Sequence, residues 1–259
     1  MMIRNQLVLL ILVLLMMLWM HASSAPRLAQ EQRPEHAWSY SGPQGPDHWG
    51  DLKPEFVACK TGHRQSPIDI RDIRKAELPA IQFDYKSSPL RIIDDGHTIM
   101  INYGSGSHIS VGGKTYQLKQ FHFHRPSEEK LNGKGYDMAI HLVHADEHGN
   151  LAVVAVLLQN GAENVVIHKL WDHLPTQKEK EELLDGVEID AARLLPVDRG
   201  YYTFPGSLTT PPCSESVTWF VLKHPVTVSA AEIEQFGRLY PNNARPTQAQ
   251  YDRTVLESK

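Results

Sequence analysis

The stretch Gln120-Phe-His-Phe-His124 constrains this chain more than any other. Aromatic residues alternating with histidines read as a β-strand, in which successive side chains point to opposite faces. Phe121 and Phe123 are therefore expected to pack into a core, with His122 and His124 side by side on the other face. A second strand-like run, Met138-Ala-Ile-His-Leu-Val-His144, supplies a third candidate in His141. His144 falls on the opposite face and reads as an ordinary buried histidine. Three neutral imidazoles with a fourth position open describe a catalytic zinc site rather than a closed structural one. An isolated H-x-H reads as readily as two packed or exposed histidines, and it is His141 that favours a metal.

The chain has 259 residues, which suits one large domain or two small ones. A net charge of −4 without a basic stripe gives no case for nucleic-acid binding. Neither a dinucleotide-binding nor a phosphate-loop motif is present. Short strands are expected at Ile81–Tyr85, Thr98–Tyr103, His108–Val111 and Ser216–Leu222, after a lead-in at Arg64–Ile70 and with Asp-Gly and Gly-Gly turns between them. Leu151–Leu158 is apolar throughout, as expected of a strand buried on both faces. Trp38–Gly50, rich in Gly, Pro and aromatics, is expected to lack regular structure and to wrap a surface through its rings. Helical pattern is scarce. Thr176–Leu184 offers a Thr cap and a charged face, and Ser229–Tyr240 has a Ser229/Glu232 capping box with Ile233, Phe236 and Tyr240 at helical spacing. No linker splits the chain, so one mainly-β domain with a few peripheral helices is expected.

Arg4, the uninterrupted apolar run Leu7–Met20 and the small residues Ala22-Ser-Ser-Ala25 follow the grammar of a secretory signal peptide. A retained N-terminal anchor is the alternative. Cleavage after Ser24, after Ala25 or near Ala29 stays open, and residues 26–37 read as a polar leader. Export bears on the only two cysteines, Cys59 and Cys213. In an oxidising compartment such a pair is expected to be bridged, with two buried free thiols as the alternative. A loop this long contributes about 4–5 kcal/mol in the chain-entropy description, an upper figure.

Leu208-Thr-Thr-Pro-Pro-Cys213 sets two hydroxyls before a rigid Pro-Pro, Ser127-Glu-Glu129 follows the H-x-H strand, and Gly96-His97 opens a strand after a turn. With Gln65-Ser-Pro-Ile-Asp69 and the H-x-H strand itself, these motifs resemble an α-class carbonic anhydrase of the exported bacterial type. The resemblance runs in order and at matching spacings from about Trp38 to the C-terminus. After the signal peptide expected over 1–25 and the flexible leader over 26–37, it implies a catalytic domain over 38–259, built on a large, mostly antiparallel twisted sheet. It implies reversible hydration of CO2 to bicarbonate and a proton, by attack of zinc-bound hydroxide. The implied Zn2+ ligands are His122, His124 and His141, with Gln120 supporting His122.

By the same resemblance, Thr209 accepts a hydrogen bond from the hydroxide and passes its own proton to Glu128. Thr210 and the Thr209 backbone N–H help place substrate or bicarbonate. Val143, Val153, Leu208, Val217 and Trp219 match the apolar wall that holds CO2, and His97 matches the proton shuttle. Cys59 and Cys213 occupy the positions bridged in exported members. The implied partner is a small molecule, with no nucleic acid and no membrane span after signal removal. The implied location is periplasmic or secreted, with a homodimer left open. There is one departure: many members carry Glu two residues before the third histidine, where this chain has Ala139. Loss of such a partner typically costs roughly 10–100-fold in metal affinity or activity. Water or another group is then expected to serve His141, or zinc is held less tightly. A catalytically dead relative acting as a surface-binding module is the competing class; the retained histidines, Thr209 and Glu128 speak against it.

Overall fold

The computed structural model describes residues 37–259. The expected signal peptide and residues 26–36 of the expected leader lie outside the described residues. Short runs of β-branched and aromatic residues between turns give β1 (Asp69–Ile70), β2 (Ile73–Ala76), β3 (Gln82–Asp84), β4 (Ser88–Asp94), β5 (Ile99–Asn102), β6 (His108–Val111), β7 (Lys114–His124) and β8 (Lys130–Leu131). The series continues with β9 (Met138–Ala145), β10 (Leu151–Asn160), β11 (Glu182–Ile189), β12 (Tyr201–Ser207), β13 (Glu215–Leu222), β14 (Val226–Val228) and β15 (Val255–Ser258). One sheet takes most of them, in the order β11-β4-β5-β7-β9-β10-β13-β12-β15-β2, with β14 beside β10 and the β3–β6 pair continuing from β7. Pairing is mostly antiparallel, but β10–β13, β10–β14 and β15–β2 run parallel. A separate parallel pair joins β1 to β8.

The sheet has two unlike faces, and side-chain alternation sorts residues between them. On β10, Ala152, Val154, Val156 and Leu158 join the larger core, while Val153, Ala155 and Leu157 join the smaller one. The continuous apolar run expected for a doubly covered strand is thus split residue by residue. Phe121 and Phe123 of β7 and Ile140 and Leu142 of β9 face the larger core. Helices Val165–Trp171 and Ala230–Leu239 close over that side, with Phe123 against Trp171 at a ring separation of 4.8 Å and Trp171 on Phe236 at 5.6 Å. Burying each large side chain of this kind contributes about 1.5–3 kcal/mol. The opposite faces of β7 and β9 are left for the histidines.

The helix at Ala230–Leu239 starts at Ser229 with both halves of the expected capping box formed. The helix expected at Thr176–Leu184 is not there. Glu179 has φ +60°, outside the helical region, and Glu182–Ile189 pairs antiparallel with β4 as the edge strand β11. The run Gln177–Glu182 contains no apolar residue to seat a helix, whereas Leu184, Val187 and Ile189 reach the larger core from the strand. Glu181 secures the junction through Arg91 and Asn102. Trp38–Gly50 departs in part from expectation, since it contains a 3-10 turn at Gly42–Gln44 and the start of a short helix, Trp49–Leu52. Its rings do pack as expected: Trp49 is fully buried, meets Trp38 edge-on at 5.1 Å and donates to the Ser39 and Gln44 carbonyls.

Candidate metal centre

β7 and β9 lie antiparallel with His122 opposite His141 and His124 opposite Ala139. This register brings the three histidines together on the face away from Phe121 and Phe123. Their ring centroids lie 4.5–5.5 Å apart, and one nitrogen from each falls within 4.8 Å of the others. The remote nitrogen of every ring is engaged. His122 Nδ1–H donates to Gln120 Oε1 (2.8 Å), and His124 Nδ1–H donates to the Asn243 carbonyl (2.8 Å). His141 Nε2–H donates to Glu129 Oε2 (3.2 Å), with Glu129 Oε1 3.0 Å away at a poorer angle. These bonds fix tautomer and ring orientation, so His122 Nε2, His124 Nε2 and His141 Nδ1 turn inward with their lone pairs.

The electrostatics suit a cation. Burial, with His141 adding to it, lowers the His122 pKa to about 3, and burial lowers that of His124 well below the usual imidazole range. Both rings therefore stay neutral, the form that binds metal. Burial acts the same way on His141 but is outweighed by Glu129 and Glu128, which raise it. Glu128 is buried 3.6 Å from His124 Nε2 and 3.8 Å from His141 Nδ1. Burial pushes its pKa up to about 7 with help from Glu129, while His141, the Thr209 hydroxyl and the Arg245 backbone N–H oppose the rise. Among the described residues, His124 Nε2 is buried with no hydrogen-bond partner. An orphaned imidazole nitrogen beside a buried carboxylate is costly unless a cation is bound, and Zn2+ accepts such nitrogens.

Of the other predicted site residues, Trp219 touches the triad through His141. Thr209 is buried and Thr210 half-buried in the loop after β12, which closes through Leu208 N–H to the Ser214 carbonyl and Cys213 N–H to the Thr210 carbonyl. The Cys59–Cys213 bridge is formed, with Cα atoms 5.0 Å apart across 154 residues of sequence. Val143 lies opposite Val153, Val153 lies beside Trp219, and Leu208 and Val217 join the same apolar cluster. Trp219 meets His141 edge-on at 4.9 Å and donates to the Ser207 carbonyl. Gly206 permits this closeness, since a Cβ there would come within 2.3 Å of Ser66 Oγ and 2.6 Å of the Trp219 ring. His97 lies outside the triad, half-buried and stacked on Trp38 at 3.7 Å, with its backbone held by Asp95 and Asn243. His144, on the opposite face, is buried between the Tyr85 hydroxyl and the Ala152 carbonyl, and burial lowers its pKa to about 4.

Three participants were not foreseen in the sequence. Asn243 holds His124 through its carbonyl and the Phe123 and His97 carbonyls through its amide. Arg245 is buried; its backbone N–H donates to Glu128 Oε1 (2.7 Å), and its guanidinium reaches Gln65, the Ser66 carbonyl and the Cys59 carbonyl. Glu129 is the third. No motif announces Asn243 and Arg245, which act through main-chain atoms across long sequence separations, and Glu129, although part of Ser127-Glu-Glu129, shows its role only through its contact with His141.

Comparisons with known proteins agree with this geometry. A family model described as eukaryotic-type carbonic anhydrase matches residues 44–259. A carbonic anhydrase of Nostoc sp. is 40% identical over 226 residues, covering 85% of this chain and 86% of the relative. Among solved structures, a hyperthermostable carbonic anhydrase from an active hydrothermal vent chimney superposes with a TM-score of 0.83 at 46% identity, covering 86% of this chain and 100% of that one. The α-carbonic anhydrase of Thermovibrio ammonificans, in complex with the inhibitor sulfanilamide, gives 0.82 at 44% identity over 85% and 98% of the two chains. In motif order, in fold and in the convergence of its three histidines, this chain belongs to the eukaryotic-type, or α-class, carbonic anhydrase family.

Proposed function

We propose that the chain hydrates CO2 reversibly to bicarbonate and a proton, at a zinc ion held by His122 Nε2, His124 Nε2 and His141 Nδ1. One observation carries this reading: three neutral-capable imidazoles, each ring locked by its own acceptor, converge beside the buried Glu128 and Thr209. Zinc, when bound, supplies an activated water at neutral pH, the established behaviour of carbonic anhydrases.

The chain's own residues do the rest. Glu128 Oε1 is taken by the Arg245 N–H, and among the described residues Oε2 makes no well-aligned hydrogen bond. The Thr209 hydroxyl is close enough to pull the Glu128 pKa down, so we assign its proton to Oε2. Thr209 Oγ1 then meets the reacting water only as an acceptor. A ligand with no proton to offer it is repelled, and a water or hydroxide lone pair is aimed away from it toward the substrate. Val143, Val153, Leu208, Val217 and Trp219 form a wall for CO2, which is apolar and needs no charged anchor. The Thr210 hydroxyl and the Thr209 backbone N–H serve the bicarbonate oxygens. His97 takes the product proton to buffer, since an imidazole titrates near neutral pH.

The Cys59–Cys213 bridge supports an oxidising location, periplasmic or secreted. No helix among the described residues is long and apolar enough to cross a membrane. Removal of metal by a chelator is expected to abolish CO2 hydration, and one zinc per chain to restore it. Sulfanilamide, which the Thermovibrio relative binds as an inhibitor, is expected to block the restored activity. Full activity in metal-free protein would overturn the reading.

A further inference from the structure

His122 and His124 are oriented by neutral acceptors, an amide oxygen and a peptide carbonyl. His141 alone meets a carboxylate at its remote nitrogen. Its own strand offers no acceptor in the usual place, since the residue two positions before it on the same face is Ala139. Glu129 arrives instead from the segment between β7 and β8, where the Ser127 hydroxyl donates to the Glu129 carbonyl and the Lys130 N–H to the Ile68 carbonyl. The Glu129 side chain is fully buried. Among the described residues its carboxylate has no hydrogen-bond partner other than His141 Nε2–H, and Oε1 makes no aligned bond at all. A buried carboxylate satisfied this poorly is a burden on the fold. Its geometry serves one group, the remote nitrogen of a candidate ligand.

We propose that Glu129 is the positioning residue for His141, a carboxylate that fixes the ring with Nδ1 turned to the metal and strengthens that nitrogen as a donor. Ala139 then leaves no gap in the support of the site, because the acceptor has moved from β9 to the segment before β8. His141 becomes the best electron donor of the three, as its remote nitrogen alone is met by a carboxylate rather than an amide or peptide oxygen. Structural and positioning roles predict opposite results. If Glu129 merely stabilises the fold, replacing it weakens the metal-free protein. If it positions His141, replacement leaves the metal-free protein as stable or more so, and the loss appears in metal binding.

The inference rests on the zinc reading above. The test uses the full chain carrying Glu129→Gln, which keeps the shape and replaces the carboxylate by an amide, and Glu129→Ala, which removes the acceptor. Zinc affinity is measured by competition with a coloured chelator, and thermal unfolding is followed for the metal-free forms. Both variants are expected to bind zinc roughly 10–100-fold more weakly than the parent, with unfolding midpoints equal to or above the parent's. The visible spectrum of the cobalt-substituted protein should shift in Glu129→Gln. If Glu129→Ala fails to fold, Glu129→Gln carries the test by itself. Zinc affinity of Glu129→Gln within twofold of the parent, or a weakened affinity matched by a lowered metal-free midpoint, overturns the proposal. A parent that binds no zinc would instead overturn the metal reading on which it stands.

Discussion

Thr209 lies buried beside Glu128, and His97 lies stacked on Trp38 away from the three imidazoles. On the proposed mechanism they serve different steps, so their substitutions separate in the kinetics. Thr209→Ala disturbs the reacting water and is expected to lower kcat/KM, since that ratio covers steps up to bicarbonate release. His97→Ala slows proton export and is expected to lower kcat while leaving kcat/KM nearly intact. Added imidazole should restore much of that kcat by carrying the proton itself. Equal loss in both parameters for His97→Ala, or no rescue by imidazole, would remove His97 from the proton path. Residues of this kind can be proposed from the sequence because they stand in recognisable side-chain motifs. Asn243 and Arg245 were not, since a peptide carbonyl or N–H carries no residue-type signature. Glu129 sits in a quoted motif, yet only the fold shows that its carboxylate, rather than one at Ala139, meets His141.

At the scale of elements, the centre depends on the β7–β9 register and on the loop after β12. Slipping β7 by one residue would turn Phe121 and Phe123 to the site and the histidines to the core, so the fully buried phenylalanines hold the ligands on their face. The loop carrying Thr209 and Thr210 is pinned by Cys213 to Cys59 and by Gln65 Nε2 to the Cys213 carbonyl. Arg245 ties the Cys59 carbonyl to the same network. Replacing both cysteines by serine is expected to cost up to about 4–5 kcal/mol in the chain-entropy description and to lower kcat/KM by freeing the loop. Thermal unfolding and CO2 hydration of the double variant test this, and unchanged values in both would deny the bridge a role. The sequence reached β7, β9, β10 and the capped helix at Ala230–Leu239 because each has a strong local pattern. It missed Val165–Trp171, a seven-residue helix capped by Asn164, because so short a run shows barely two turns of period. It misread 176–184 because the open edge of β4, a tertiary feature, decides the matter there.

For the molecule as a whole, one sheet separates a large core from the site. Periodicity alone assigns residues to faces but does not say which strands are neighbours. The parallel pairing of β10 with β13, which sets Val153 beside Trp219 at the site, was therefore not readable from the chain, whereas the mainly-β class and the histidine pair were. The central claim is that His122, His124 and His141 hold one zinc that hydrates CO2. Stopped-flow CO2 hydration on metal-analysed protein, parent against His141→Ala, tests it most directly. The parent is expected to carry one zinc per chain and hydrate CO2 far above the buffer rate, and His141→Ala to lose both zinc and rate. A His141→Ala protein that kept full zinc occupancy and full turnover would contradict the account.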